Sequence, residues 1–203
     1  MKIFQIISNI LHPMNIMTYA ALMVFFLTPV IVLPLGIRLF MVGEVFFYTC
    51  AIPFIFCLLL YKFKVISDWK LHDRKERNIP IVASIVCYAI CTYALYSHRY
   101  LPNWAMLPFY GSILTATIAW VVSFWWKISG HALGLSSLMA MSWVYFFMFQ
   151  GIFLPLYVPL TLLILLGLLC SIRVYLGRHT LPQVYVGSAV GILVTLLVYY
   201  IGL

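Results

Sequence analysis

Apolar residues run through this chain in seven long stretches, 14–36, 40–61, 80–97, 101–125, 133–150, 152–172 and 183–202, with short polar islands between them. Each approaches or exceeds the roughly 20 apolar residues that carry a helix across the hydrocarbon core of a bilayer. The pattern therefore predicts transmembrane helices. Pro80, Pro102 and Pro182 fall near the starts of stretches, where a missing N–H leaves no helical bond unmade. Trp104, Trp125 and Trp126 lie near ends, as interfacial anchors do. The first stretch differs, because Pro13 precedes it while Pro29 and Pro34 interrupt it, and it is expected to be a broken or re-entrant segment. The predicted architecture is an all-α integral membrane protein in a single domain, 1–203. It consists of a bundle of six core transmembrane helices plus an additional N-terminal membrane segment.

Composition agrees with that reading. Hydrophobic residues make up 66% of the chain and charged residues 8%, with a mean hydropathy of +1.11. A soluble domain of this length needs far more charge to cover its surface. The net charge of +8 collects at the ends of apolar stretches, which points to lipid head groups as partners and not to nucleic acid. Cys50, Cys57, Cys87, Cys91 and Cys170 all lie inside apolar stretches and read as small packing groups. Lys2 and "IFQIISNI" lack a small-residue cleavage site, so the N-terminus reads as retained.

With so few polar residues, their placement is informative. Three islands matter: "KVISDWKLHDRKERNIP" (64–80), "WWKISGH" (125–131) and "SIRVYLGRHTLPQV" (171–184). Two crossings separate the first from the second, and two more separate the second from the third, so parity puts all three on one face. The loop "YSHRYLPNW" falls opposite, with His98 and Arg99. The first island offers Lys70 and Arg77, seven residues apart and on one face if helical. The second offers Ser129, Gly130 and His131 at a helix start, where N–H groups favour an anion. The third offers Arg173 and His179. Six residues on an unbroken helix would point those two roughly 120° apart, so the break implied by Gly177 matters.

Cations, amide donors and two histidines suit an anion. Carboxylates are scarce: four in the chain, with Glu44 remote from Asp68, Asp73 and Glu76. Two-metal phosphatases clamp their ions with several converging carboxylates, a set this chain cannot easily assemble. A site without metal or cofactor would neutralise phosphate oxygens with Lys and Arg and use histidines as nucleophile and proton donor. Glu44 is expected to hydrogen-bond within the bundle, and His72 and His98 to be structural.

These islands resemble the signature of the type 2 phosphatidic acid phosphatase superfamily, a metal-independent group that includes many membrane lipid phosphatases. Its first motif is lysine, six residues, arginine-proline; Lys70 and Arg77 match, with Asn78 replacing the proline. The second is proline-serine-glycine-histidine, matched by "ISGH" (128–131) with Ile128 for proline. The third is serine-arginine, five residues, histidine, three residues, aspartate. Arg173 and His179 match it, with Ile172 for serine and Gln183 for aspartate.

The resemblance implies a lipid phosphate or diphosphate as substrate, His179 as nucleophile through a phosphohistidine, and His131 as proton donor to the leaving oxygen. Lys70, Arg77, Ser129, Gly130 and Arg173 would hold the phosphate oxygens. Gln183 would orient His179 through its carbonyl oxygen without a charge. That change leaves three outcomes: a slower phosphatase, recruitment of another acid such as Asp73, or an inactive member that binds anionic lipid head groups. Lys127 and Arg178 add charge suited to a diphosphate. The implied location is a bacterial inner (cytoplasmic) membrane. Ten of the twelve Lys and Arg fall on the site face, with Arg38 and Arg99 opposite, so the charge rule puts the site in the cytoplasm. Many bacterial members of the resembled family act on the periplasmic face.

Overall fold

The computed structural model describes residues 2–67, 76 and 78–203. Six segments are long and apolar enough to cross a membrane: Leu35–Lys62, Asn78–Ser97, Asn103–Ser123, Gly130–Met148, Tyr157–Tyr175 and Leu181–Gly202. Two short helices precede them, α1 (Lys2–Ile10) and α2 (Pro13–Phe26), bent by 53° where they meet. The chain is an all-α integral membrane protein.

The first crossing is α3 (Leu35–Phe46) and α4 (Ile52–Lys62), joined by a widened turn over Phe47–Ala51. Pro53 explains the widening, since its ring cannot donate and would clash with the carbonyl four residues back. The other five crossings are single helices: α5 (Asn78–Ser97), α6 (Asn103–Ser123), α7 (Gly130–Met148), α8 (Tyr157–Tyr175) and α9 (Leu181–Gly202). Within each, the backbone satisfies its own polar groups, which lipid cannot do. Leu163, Ile164, Leu193, Leu197 and Ile201 are exposed side chains turned to where that lipid lies.

The first apolar stretch does not form one helix. Pro29 and Pro34 bring no N–H to a helical ladder, so the chain leaves α2 at Leu27 and makes one 3₁₀ turn, Pro29–Val32. Thr28 caps that turn by accepting from the Val30 N–H at 3.3 Å. Helix α3 then begins directly after Pro34, five residues before the second stretch was expected to start. Helix α2 is roughly 21 Å long at about 1.5 Å per residue, short of a ~30 Å hydrocarbon core. Helix α1 falls outside every predicted stretch.

The centre of the bundle is α7, whose Ala132, Leu135, Leu138, Met141 and Tyr145 are buried. Helix α9 lies directly on it because Gly187 and Gly191 present no side chain there. A methyl at Gly187 would sit 2.8 Å from the Ser129 carbonyl, and one at Gly191 would collide with Ser136 Oγ and the Leu133 carbonyl. Small residues four apart let backbones approach where apolar surfaces gain nothing by leaving lipid. This contact fixes the start of α7 against the start of α9. At the opposite end of the bundle Glu44 meets His98, Oε2 to Nε2 at 3.0 Å, so the lone acid in its apolar run is hydrogen-bonded.

Candidate active site

The third polar island folds as its glycine predicts. Helix α8 ends at Tyr175, and Gly177 takes φ +65°, a left-handed conformation that a side chain disfavours. Two bonds close the turn: the Gly177 N–H to the Val174 carbonyl at 2.9 Å, and the Arg178 N–H to the Arg173 carbonyl at 3.1 Å. This is the Schellman ending of a helix. The His179 N–H also reaches the Arg173 carbonyl, at 3.3 Å. Six residues of separation thus become a backbone contact between the two candidate residues.

Helix α9 begins at once. Thr180 is its N-cap, Pro182 stands in the first turn, and Gln183 completes a capping box. Gln183 Oε1 accepts from the Thr180 N–H at 3.2 Å and meets His179 Nδ1 at 3.0 Å. An amide oxygen only accepts, so Nδ1 carries the hydrogen and the lone pair lies on Nε2. His179 is buried, 6% exposed.

The second island supplies the start of α7. Ser129 is its N-cap, accepting from the Ala132 N–H at 3.4 Å, and is fully buried. Its own N–H donates to the Gln183 carbonyl at 3.3 Å, tying α7 to α9. Ser129 therefore supports the cavity wall and does not line it. Gly130 and His131 do line it, together with Arg173 and His179. The structure brings six expected residues, Ser129, Gly130, His131, Arg173, His179 and Gln183, to one end of the bundle. Lys70 and Arg77, and also Asp73, lie outside the described residues. The Ser67 N–H and hydroxyl both donate to the Glu76 carboxylate at 3.0 Å.

Two site residues were not expected from sequence. Ser8 on α1 is buried between the cation and the histidine: Arg173 Nη1 donates to its hydroxyl at 3.0 Å, and His131 Nε2 donates to its carbonyl at 3.2 Å. His12, at the bend between α1 and α2, lines the cavity with its ring 5.1 Å from that of His131, edge to face. His12 Nδ1 accepts from the Met14 N–H at 3.4 Å, which caps α2 and places the hydrogen of the neutral ring on Nε2. Burial first, and the Arg173 guanidinium second, push the His12 pKa down to about 4. The sequence "HP" at 12–13 is a helix-start signal, but nothing local indicates that this end of the chain folds over the site.

Behind the polar end runs a cavity of about 290 Å³. Its walls come from α2, α5, α6, α7 and α9, and include Tyr88, Leu107, Met141, Val198 and Tyr199. On α6 the lining extends from Ser123 to Leu107, roughly 24 Å of helix. The lining on that helix is mostly small residues, among them Gly111, Thr115, Ala116 and Ala119, which leaves room for an occupant. The cavity thus joins a cationic and imidazole-bearing end to a long, mostly apolar shaft. Among the described residues no group of three His, Cys, Asp or Glu side chains is placed to hold a metal ion. Comparison with protein-family models, curated proteins and solved structures found no match for the chain.

Proposed function

We propose that this protein is a metal-independent phosphatase of membrane lipid phosphates or diphosphates, in the manner of the type 2 phosphatidic acid phosphatases that its motifs resemble. The observation that carries the reading is the joining of two unlike surfaces. Arg173, His131 and His179 line one end of a cavity whose remaining length is mostly apolar and carries no charged side chain. A lipid phosphate has the same division, an anionic head on a hydrocarbon tail.

In the proposed reaction the Nε2 lone pair of His179 attacks phosphorus, and the P–O bond to the lipid breaks. His131, as the imidazolium, gives a proton to the departing alkoxide and is left neutral. Water then attacks the phosphohistidine and gives a proton to His131, the P–N bond breaks, and inorganic phosphate leaves. Arg173 and the Gly130 N–H, with Lys70 and Arg77 in the roles the resemblance implies, neutralise the charge that builds on the phosphoryl oxygens. Gln183 holds the tautomer of His179 throughout. The proposed location is a bacterial inner (cytoplasmic) membrane, a reading that rests on the resemblance.

A second reading, an inactive member that binds anionic lipid head groups, is favoured by one feature. Gln183, which meets His179 Nδ1, is a neutral amide where the resembled family has a carboxylate. Purified protein in detergent with EDTA separates the two. The phosphatase reading predicts phosphate release from at least one member of a panel of phosphatidic acid, phosphatidylglycerol phosphate, polyprenyl diphosphate and lipid A, abolished by His179→Ala. Lipid binding without release across the panel overturns it.

A further inference from the structure

Helix α1 exposes isoleucines beside Lys2, Gln5 and Asn9 and turns a serine inward. Ile3, Ile6 and Ile10 are 70%, 56% and 54% exposed, while Ser8 is 4% exposed. The outward isoleucines recur at helical spacing, one face directed at lipid. The inward serine offers two oxygens to the cavity's polar end. Its hydroxyl takes a hydrogen bond from Arg173 Nη1, and its carbonyl takes the His131 Nε2 hydrogen. These are the acceptors that two phosphate oxygens would present to the same donors. The Nε2 hydrogen of His131 is thereby committed to the chain itself. With α1 in this position, the proton donor of the proposed reaction is occupied.

We propose that α1 is a membrane-riding cap, in which Ser8 stands in for phosphate oxygens between Arg173 and His131 and is displaced when a phosphate head group binds. The inference rests on the reading of this cluster as a phosphate site. The 53° bend at Leu11 and His12 provides the pivot, and α2 beyond it is anchored in the core by Ile16, Ala20 and Val24. Phe4 packs edge-on against Tyr175 at 5.4 Å, a contact that one aromatic ring can leave without opening the bundle. A phosphate offers Arg173 a charge-assisted hydrogen bond to an anion, stronger than one to the serine hydroxyl.

The test measures the separation of spin labels at the exposed positions Gln5→Cys and Ser171→Cys, with the five native cysteines replaced. The proposal predicts that Ser8→Ala, without ligand, moves most of the population to a longer separation, and that inorganic phosphate does the same to the parent protein. Ser8→Thr keeps the hydroxyl and holds the short separation, which controls for folding. Affinity for inorganic phosphate rises about tenfold in Ser8→Ala, the worth of one hydrogen bond to a charged group. A Ser8→Ala distribution that superimposes on the parent's, or an affinity that falls, overturns the cap. The ligand-free arm involves no turnover. An opened Ser8→Ala population in a protein that releases phosphate from no lipid counts against the phosphatase reading and supports the cap.

Discussion

Gln183 carries two tasks on one oxygen, and separating them gives the sharpest prediction. Gln183→Ala removes the acceptor for His179 Nδ1–H and the acceptor for the Thr180 N–H together. Leaving a buried donor without a partner costs about 1–3 kcal/mol, and the lost cap costs about 0.5–2 kcal/mol of stability. If the first cost falls on the reacting tautomer, turnover drops about fivefold to 150-fold at about 1.4 kcal/mol per factor of ten. The loss should appear in kcat with KM nearly unchanged, because the amide does not touch the lipid. Gln183→Glu has the same shape and keeps both acceptors while adding a charge beside the ring. A carboxylate favours the imidazolium, so more of His179 is protonated at a given pH and the nucleophile is lost sooner on acidification. The acidic limb of the pH–rate profile therefore moves to higher pH by about one unit or more. Stopped assays of phosphate release across pH 5–9 in detergent read both effects. A folded Gln183→Ala variant with full turnover would refute the orienting role. So would a Gln183→Glu profile that superimposes on the parent's.

Three further predictions follow from the same geometry. Gly177→Ala meets no neighbouring atoms but must hold φ near +65°, which costs about 1–2 kcal/mol and loosens the turn joining Arg173 to His179; turnover should fall more than Tm does. Gly191→Val forces α7 and α9 apart at a cost of about 1–3 kcal/mol or more, and Tm and turnover should fall together because the two helices carry His131 and Gln183. His12 is held at about 4, below its ordinary 6.5, so between these values the unfolded chain takes up a proton that the folded protein refuses. Stability should fall as pH drops through that window, and His12→Asn, which keeps a capping acceptor, should flatten the slope; an unchanged slope contradicts the assignment.

Much of the membrane architecture was legible because lipid leaves few alternatives. An apolar run of about 20 residues that must satisfy its own backbone becomes a helix, and four of the seven stretches did so within three residues of their expected bounds. The region before residue 36 was not legible in the same way. Its prolines announced a break, but whether the pieces crossed, turned back or bent was decided by packing against α7 and α3. At the site, the Arg173–His179 spacing could be interpreted because a left-handed Gly177 is a local event with a fixed geometry. Gln183 could be placed only through the resemblance, whose motif sets an orienting residue four positions after the histidine. The roles of Ser8 and His12 could not be read, since the contacts that define them span 123 residues or more for Ser8 and depend on how α1 tilts over the finished bundle. The close approach of α7 and α9 had a local signal in Gly187 and Gly191, four residues apart, whose partner helix no single sequence names.

The most direct test is to find the phosphoryl group. Protein quenched during turnover of a labelled lipid phosphate, in EDTA, would be digested and its acid-labile phosphopeptides mapped, with the ring position assigned by phosphorus NMR. With Nδ1–H held by Gln183, the account predicts a phosphoryl group on Nε2 of His179, and none in Gln183-intact protein carrying His179→Ala. Phosphate on Nδ1, on His131 or on His12, or continued turnover with no phosphohistidine in the quenched protein, would contradict it.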